Sequence, residues 1–107
     1  MTIAPYLKII GRGREGARAL DRLQARDLMQ RILSGRVSDL ELGAFALAMR
    51  IKGETPQELA GFVEAAQAHS LALASATPAV LLPSYNGARK LPNYTPLLAL
   101  LLARAGL

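Results

Sequence analysis

Residues 38–61, SDLELGAFALAMRIKGETPQELAG, constrain this chain more than any other stretch. Ser38 suits a helix N-cap, and Glu41 three residues later completes a capping box, with hydroxyl and carboxylate each accepting an orphan backbone N–H. From 40 to 51 nearly every residue is apolar or small. A helix that is apolar around most of its circumference must be covered around most of it, so the spacing predicts a central helix enclosed by others. Gly53 ends this helix because glycine takes a left-handed terminal position at little steric cost. Thr55, Pro56 and Glu58 then supply a cap, a first-turn proline and a second capping box. Residues 50–55 form the exposed corner between the two helices.

Composition decides what can surround such a helix. The chain has 107 residues, 51% hydrophobic and only 5% aromatic, without Trp. Its core must be built from Leu, Ala, Ile and Val, which suits closely packed helices better than a β-sandwich. The absence of Cys excludes disulfides and thiolate metal sites, and a single His cannot make a zinc site. The net charge of +5 permits binding to phosphates or nucleic acid. No secretion-type apolar segment opens the chain, and no apolar run reaches the roughly 18–20 residues needed to cross a bilayer. A cytoplasmic protein with no membrane partner is expected.

Taken in order, residues 3–10 carry a weak helical pattern through Ile3, Leu7 and Ile10. GRGREG at 11–16 matches G-x-G-x-x-G, but a dinucleotide fingerprint needs a second strand after its helix, and the next fifty or so residues read as helical. A flexible basic connection is expected instead. Arg14, Arg18, Arg22 and Arg26 recur every fourth residue. Asp21, with Gln24 three residues on, reads as a fresh N-cap that breaks this stripe. The arginines have two readings: solvated faces with local pairs to Glu15, Asp21 and Asp27, or phosphate contact by Arg12, Arg14 and Arg18. Residues 22–34 form a helix ended by Gly35, with Ala25, Leu28, Met29, Ile32 and Leu33 at helical spacing. The helix begun at Thr55 runs through Leu59, Phe62, Val63 and Ala66 to His69, a surface residue favoured by the helix dipole.

The first 70 residues thus read as a helical domain, 71–78 as a linker, and 79–107 as a strand–loop–helix. Residues 79–82 are a brief strand or an extended segment ended by Pro83. Asn86–Gly87 signals a turn; Arg89 and Lys90 come directly after it. Thr95–Pro96 is a cap and first-turn proline for a last helix over 97–105, almost wholly apolar, which also needs covering.

The stretch LMQRILSGRVSDLELGAFALAMRIKGETPQELAGFVEA, above all AMRIKGETPQE, resembles the start of the anthranilate phosphoribosyltransferases, a family that also includes the pyrimidine nucleoside phosphorylases. The resemblance implies a mainly α fold: their helical N-terminal bundle, then the first strand, loop and helix of an α/β domain. In the enzymes that strand leads into a GTGGD loop holding the pyrophosphate of phosphoribosyl pyrophosphate, and an N-x-S-T motif opens the next helix. Here Ser84, Tyr85, Asn86, Gly87 and Ala88 stand in place of that loop, and only Gly87 is kept. Bulkier residues hinder the approach of backbone N–H groups to phosphate. Asn93 and Thr95 match the Asn and Ser of the second motif, with Pro96 replacing its Thr. IGRGREGARALDR together with PSYNGARKLPNYTPLLALLL is instead similar to the YbiB-like subgroup, relatives of the same fold without the standard phosphate loop, to which nucleic-acid binding is ascribed. Family members continue through a much larger α/β domain, so this chain is expected to be a truncated or proteolysed form, or to have its missing surface supplied by another copy. A homodimer through the helical domain is expected on the same ground.

Three functions are open to such a chain. The first is a non-enzymatic, sequence-nonspecific nucleic-acid-binding protein, with Lys8, Arg12, Arg14, Arg18, Arg89 and Lys90 on phosphates. The second is a phosphoribosyltransferase acting on an aromatic amine or base. Lys52, Ser84, Asn86, Gly87, Asn93 and Thr95 would then line the substrate cleft, with magnesium and phosphoribosyl pyrophosphate as ligands. Its metal and acid residues would lie beyond Leu107, so no catalytic residue, cofactor or metal ligand is expected within this chain. The third is a helical dimerisation fragment. A salt titration of DNA binding separates the first from the others.

Overall fold

The structure, a computed structural model, describes residues 1–83 and 90–107. Ser84, Asn86, Gly87 and Arg89 therefore lie outside the described residues. The helices are α1 (Ala4–Ile10), α2 (Gly13–Gly16), α3 (Arg22–Leu33), α4 (Asp39–Lys52), α5 (Pro56–Ala68) and α6 (Thr95–Arg104). The mainly α architecture is as the sequence predicts. Two compact units divide the chain, Met1–Ala72 and Leu73–Leu107.

In the first unit the start signals act largely as expected. Asp21 accepts from Gln24 N and Gln24 answers at Asp21 N, and Thr55 and Glu58 make the same reciprocal box. Gly35 and Gly53 hold φ at +75° and +79°, a region L side chains avoid. Within GRGREG, expected as a flexible basic connection, Gly13, at φ +75°, opens a single helical turn.

Ser38 also differs, since only half of its box forms. Ser38 Oγ accepts from Glu41 N at 3.2 Å, but the Glu41 carboxylate turns away to the start of the chain. It accepts from Thr2 Oγ1 at 2.9 Å and from Ile3 N at 2.7 Å. Ile3 precedes α1, which has no side-chain cap of its own from the residue at that position. A carboxylate is a stronger acceptor than a neutral group, and these orphan donors capture it. These bonds, that from Ile3 N first and that from Thr2 second, hold the Glu41 carboxyl below its ordinary pKa.

Packing runs chiefly between α3 and α5, with α1 and α2 against α4. Gly61 of α5 makes the first contact possible. A Cβ there would stand 2.4 Å from Arg22 O, 2.7 Å from Arg26 N and 2.8 Å from Ala25 Cβ. The core joins Ile3, Ile10, Leu20, Ala25, Leu28, Ala48 and Met49. Phe45 and Phe62 meet edge to face, 5.9 Å between centroids at 86°, and tie α4 to α5. Between α1 and α3, Tyr6 donates to Asp27, which also pairs with Arg31 at 2.9 Å, and the Arg31 guanidinium lies 5.4 Å from the Tyr6 ring centre.

The expectation that α4 is enclosed is corrected. Only Ala48 and Met49 of α4 are buried. Leu40 is 85% exposed and Leu47 63%, with Leu42 and Ile51 also open. The reason is the small number of neighbours: α1 and α2 cover one side of α4 and the aromatic pair another, and no further helix of this unit reaches the rest. An apolar groove of about 270 Å³ runs between α1 and α4, lined by Leu7, Ile10, Ala44, Leu47, Ala48 and Ile51 among others.

In the second unit α6 begins at Thr95 itself, so Thr95 is the first helical residue and not the cap. Asn93 takes the capping part, its Oδ1 accepting from Thr95 N at 3.1 Å. No residue of α6 is buried; Leu97, Leu98, Leu100 and Leu101 remain exposed and Leu102 is half-buried. Residues 79–82 join no ladder, and there is no strand among the described residues. A strand needs a neighbouring edge to satisfy its backbone, and none of the described segments offers one. No helix among them is long and apolar enough to cross a membrane.

Candidate functional site

The basic residues of the N-terminal segment converge because the chain doubles back there. α1 ends at Ile10, one turn of helix comes next, and the backbone returns so that Arg18 N donates to Ile9 O at 3.0 Å. This places Arg18 beside the last turn of α1, which carries Lys8. A cleft of about 320 Å³ results, lined by Lys8, Ile9, Arg12, Arg18, Ala19 and Gln24. Lys8, Arg12 and Arg18 are all exposed. Arg12 Nε donates to Lys8 O at 2.6 Å, lying over the negative end of α1.

Their expected local pairs do not form. Asp21 is engaged as the cap of α3, and Asp27 pairs with Arg31 and accepts from Tyr6. The ion pairs among the described residues are Arg22–Glu64, Arg31–Asp27 and Lys52–Glu58, so Lys8, Arg12, Arg14 and Arg18 enter none of them. Three cations thus face one concavity, and none of them forms an ion pair among the described residues. Such a concavity attracts anions over about a Debye length, 8–10 Å at ordinary salt. Arg14 is exposed on α2 and does not line the cleft. Gln24, which the sequence marks only as a capping partner, does line it; its place is set by the return of the chain, which no local spacing reveals.

Lys52 sits elsewhere and faces inward. Its side chain is 8% exposed and that of Glu58 0%, with Lys52 Nζ 2.6 Å from Glu58 Oε1. Lys52 also donates to Gly53 O at 2.7 Å. Glu58 Oε1 further accepts from Thr55 N at 2.9 Å, and Oε2 accepts from Leu20 N at 3.1 Å. Burial pushes the Glu58 carboxyl upward, but the bonds from Lys52, Leu20 N and Thr55 outweigh it and leave the pKa below its ordinary value. The sequence shows Glu58 only as a capping residue; the link to Leu20 is a long-range contact.

Of the remaining expected site residues, Lys90 and Asn93 are exposed in the second unit, with Thr95 half-buried. Among the described residues no three His, Asp or Glu side chains come together to hold a metal ion.

Residues 5–70 match the glycosyl transferase family, helical bundle domain. The chain is 52% identical over 109 aligned positions to "Uncharacterized protein YbiB" of Escherichia coli (strain K12), covering 99% of this chain and 34% of that protein. It is 48% identical over 52 residues to an anthranilate phosphoribosyltransferase of Methanopyrus kandleri, 49% of this chain and 15% of that enzyme. Over 47 residues it is 53% identical to the anthranilate phosphoribosyltransferase of Prochlorococcus marinus (strain MIT 9215), 44% of this chain and 14% of that enzyme. The chain therefore spans about a third of the first of these relatives and about a seventh of the others.

Proposed function

We propose, on the premise that this chain belongs to the glycosyl transferase family of that helical bundle domain, that it serves an anthranilate phosphoribosyltransferase-like protein that binds nucleic acid without sequence preference and without catalysing transfer. One observation carries the reading. Lys8, Arg12 and Arg18 face a single cleft, and among the described residues no carboxylate pairs with them. Exposed unpaired cations in a groove suit a phosphate backbone, which supplies affinity by counterion release and requires no base-reading helix. Arg14, Arg89 and Lys90 extend the same proposal as further phosphate contacts. A second copy is proposed to pair through the helical unit, where the open leucines of α4 offer apolar surface.

The transferase reading remains the alternative, favoured by the likeness to enzymes named anthranilate phosphoribosyltransferase. In that reading Lys52 acts through the turn it holds, since its ammonium is paired with Glu58. The pyrophosphate would fall to residues 84–88, and the described residues gather no acidic cluster that fits magnesium.

A salt titration of binding to labelled single- and double-stranded DNA tests the proposal. The logarithm of affinity should fall linearly with the logarithm of salt, with a slope of magnitude several. Removing one contacting cation, as in Arg12→Gln or Arg18→Gln, should reduce that slope by about 0.7–0.9. Absence of binding at low salt, or a slope unaltered in every such variant, overturns it.

A further inference from the structure

We propose that Glu58 is the positioning residue of the basic cleft, holding through Leu20 the segment that presents Arg18. The inference rests on the nucleic-acid reading for its binding assay, but its structural content is separate. Residues 17–21, between α2 and α3, are non-helical and carry Arg18 and Ala19 into the cleft. The ends of this segment are bonded to the adjoining helices, Ala17 N to Gly13 O and Asp21 N to Gln24 Oε1, and between them the backbone of residues 18–20 is held by Arg18 N on Ile9 O and by Leu20 N on Glu58 Oε2 at 3.1 Å. The Leu20 side chain is itself buried. Glu58 reaches this segment from the first turn of α5, 38 residues away in sequence.

The two oxygens of Glu58 divide the work. Oε1 faces the turn between α4 and α5 and accepts from Lys52 Nζ and Thr55 N; Oε2 faces the cleft segment and accepts from Leu20 N. Every partner is a donor, so the site needs an acceptor on both sides, which a carboxylate has and an amide lacks. In Glu58→Gln the single amide oxygen is drawn to Lys52 and Thr55, where two donors, one charged, await it. The NH2 group then confronts Leu20 N, donor against donor, and the segment is released while the turn persists. Asp21, the next residue after Leu20, is itself committed through Oδ1 to Gln24 N.

The test combines a double-mutant cycle with amide exchange on the full chain. A fluorescein-labelled oligo-dT strand is titrated at several salt concentrations with wild type, Glu58→Gln, Arg18→Gln and the double variant. Both single variants should weaken binding by a similar factor and lower the salt slope by about 0.7, the value for one phosphate on a single strand. The double variant should stay within twofold of Arg18→Gln, because Arg18 has little left to lose once its segment is free. Partial unfolding would instead reduce the active fraction at an unchanged slope. Additive losses, or an unchanged slope in Glu58→Gln, overturn the inference. If wild type binds no strand, the functional reading fails, and amide exchange alone decides the inference. In Glu58→Gln the Leu20 amide should lose its protection while those of Leu59 and Phe62 keep theirs; a Leu20 amide still protected as in wild type refutes it. Should Glu58→Gln not fold, Glu58→Asp, with a shorter reach toward Leu20, is read in the same way.

Discussion

Replacing Gly61 by Ala should destabilise the first unit, although alanine is the better helix former. An added Cβ would lie 2.4 Å from Arg22 O, where ordinary contact begins at 3.4 Å, so α3 and α5 must separate by about 1 Å at their crossing. The two nearest obstructing atoms are backbone atoms of α3, which have no rotamer to escape into. Overpacking of this kind costs about 1–3 kcal/mol, here near the upper end. The helix propensity of alanine over glycine returns about 1 kcal/mol. The net loss is about 2 kcal/mol, a fall in Tm of roughly 8–16 °C at 4–8 °C per kcal/mol for a domain of this size. Gly43 of α4 is the internal control. It too is helical, but a Cβ there meets nothing within 4 Å. Gly43→Ala should therefore stabilise by about 0.5–1 kcal/mol. Thermal melts of the full chain followed by far-ultraviolet circular dichroism measure both. If Gly61→Ala melts at or above wild type, or the two variants shift in the same direction, the close helix crossing is wrong.

Acid should weaken the fold through two carboxyls. Glu58 and Glu41 both sit below their ordinary pKa, so the stability they lend is complete above the unfolded value of about 4.3 and is lost as pH falls through the folded values. Urea midpoints against pH should drop in that window, and Glu41→Gln should flatten the drop; an unchanged acid limb counts against the tether at Ile3. Tyr6 is shifted the other way, raised first by burial and then by its bond to Asp27. Its contribution holds below about pH 10 and disappears as pH rises through the folded value. Tyr6→Phe should lower the urea midpoint by the equivalent of about 1–2 kcal/mol at neutral pH and remove that alkaline loss. Leu47→Glu should leave secondary structure intact and turn a dimer into a monomer by light scattering, whereas a wild-type chain already monomeric at high concentration sinks the proposed pairing.

Much of the helical layout was legible because it is written in local chemistry. Asp21 with Gln24, and Thr55 with Pro56 and Glu58, are start signals whose partners lie within one turn, and the structure uses them as they read. Glu41 is where that reading ends. Its sequence neighbour Ser38 suggests one partner, while the start of α1, whose N-cap Ile3 offers no side-chain acceptor, competes successfully from 38 residues away. The exposure of α4 was not legible for a related reason: apolarity around a helix states a need for cover, and the helices of this unit meet only part of it. Among the candidate residues, the convergence of Lys8, Arg12 and Arg18 was hinted at by charge density alone. The return of the chain that joins them depends on a backbone bond from Arg18 to Ile9, which side-chain patterns do not encode.

The hold of Glu41 on Ile3 makes the start of α1 a pivot. With seven residues at 1.5 Å each, the helix is a lever of about 10 Å whose far end carries Lys8 and leads into Arg12. A tilt of only 10° about that pin would swing the tip by about 2 Å, enough to break its bond with the returning backbone. The spacing of the cationic groups is thus set partly at the opposite end of the helix, by a residue that never touches them.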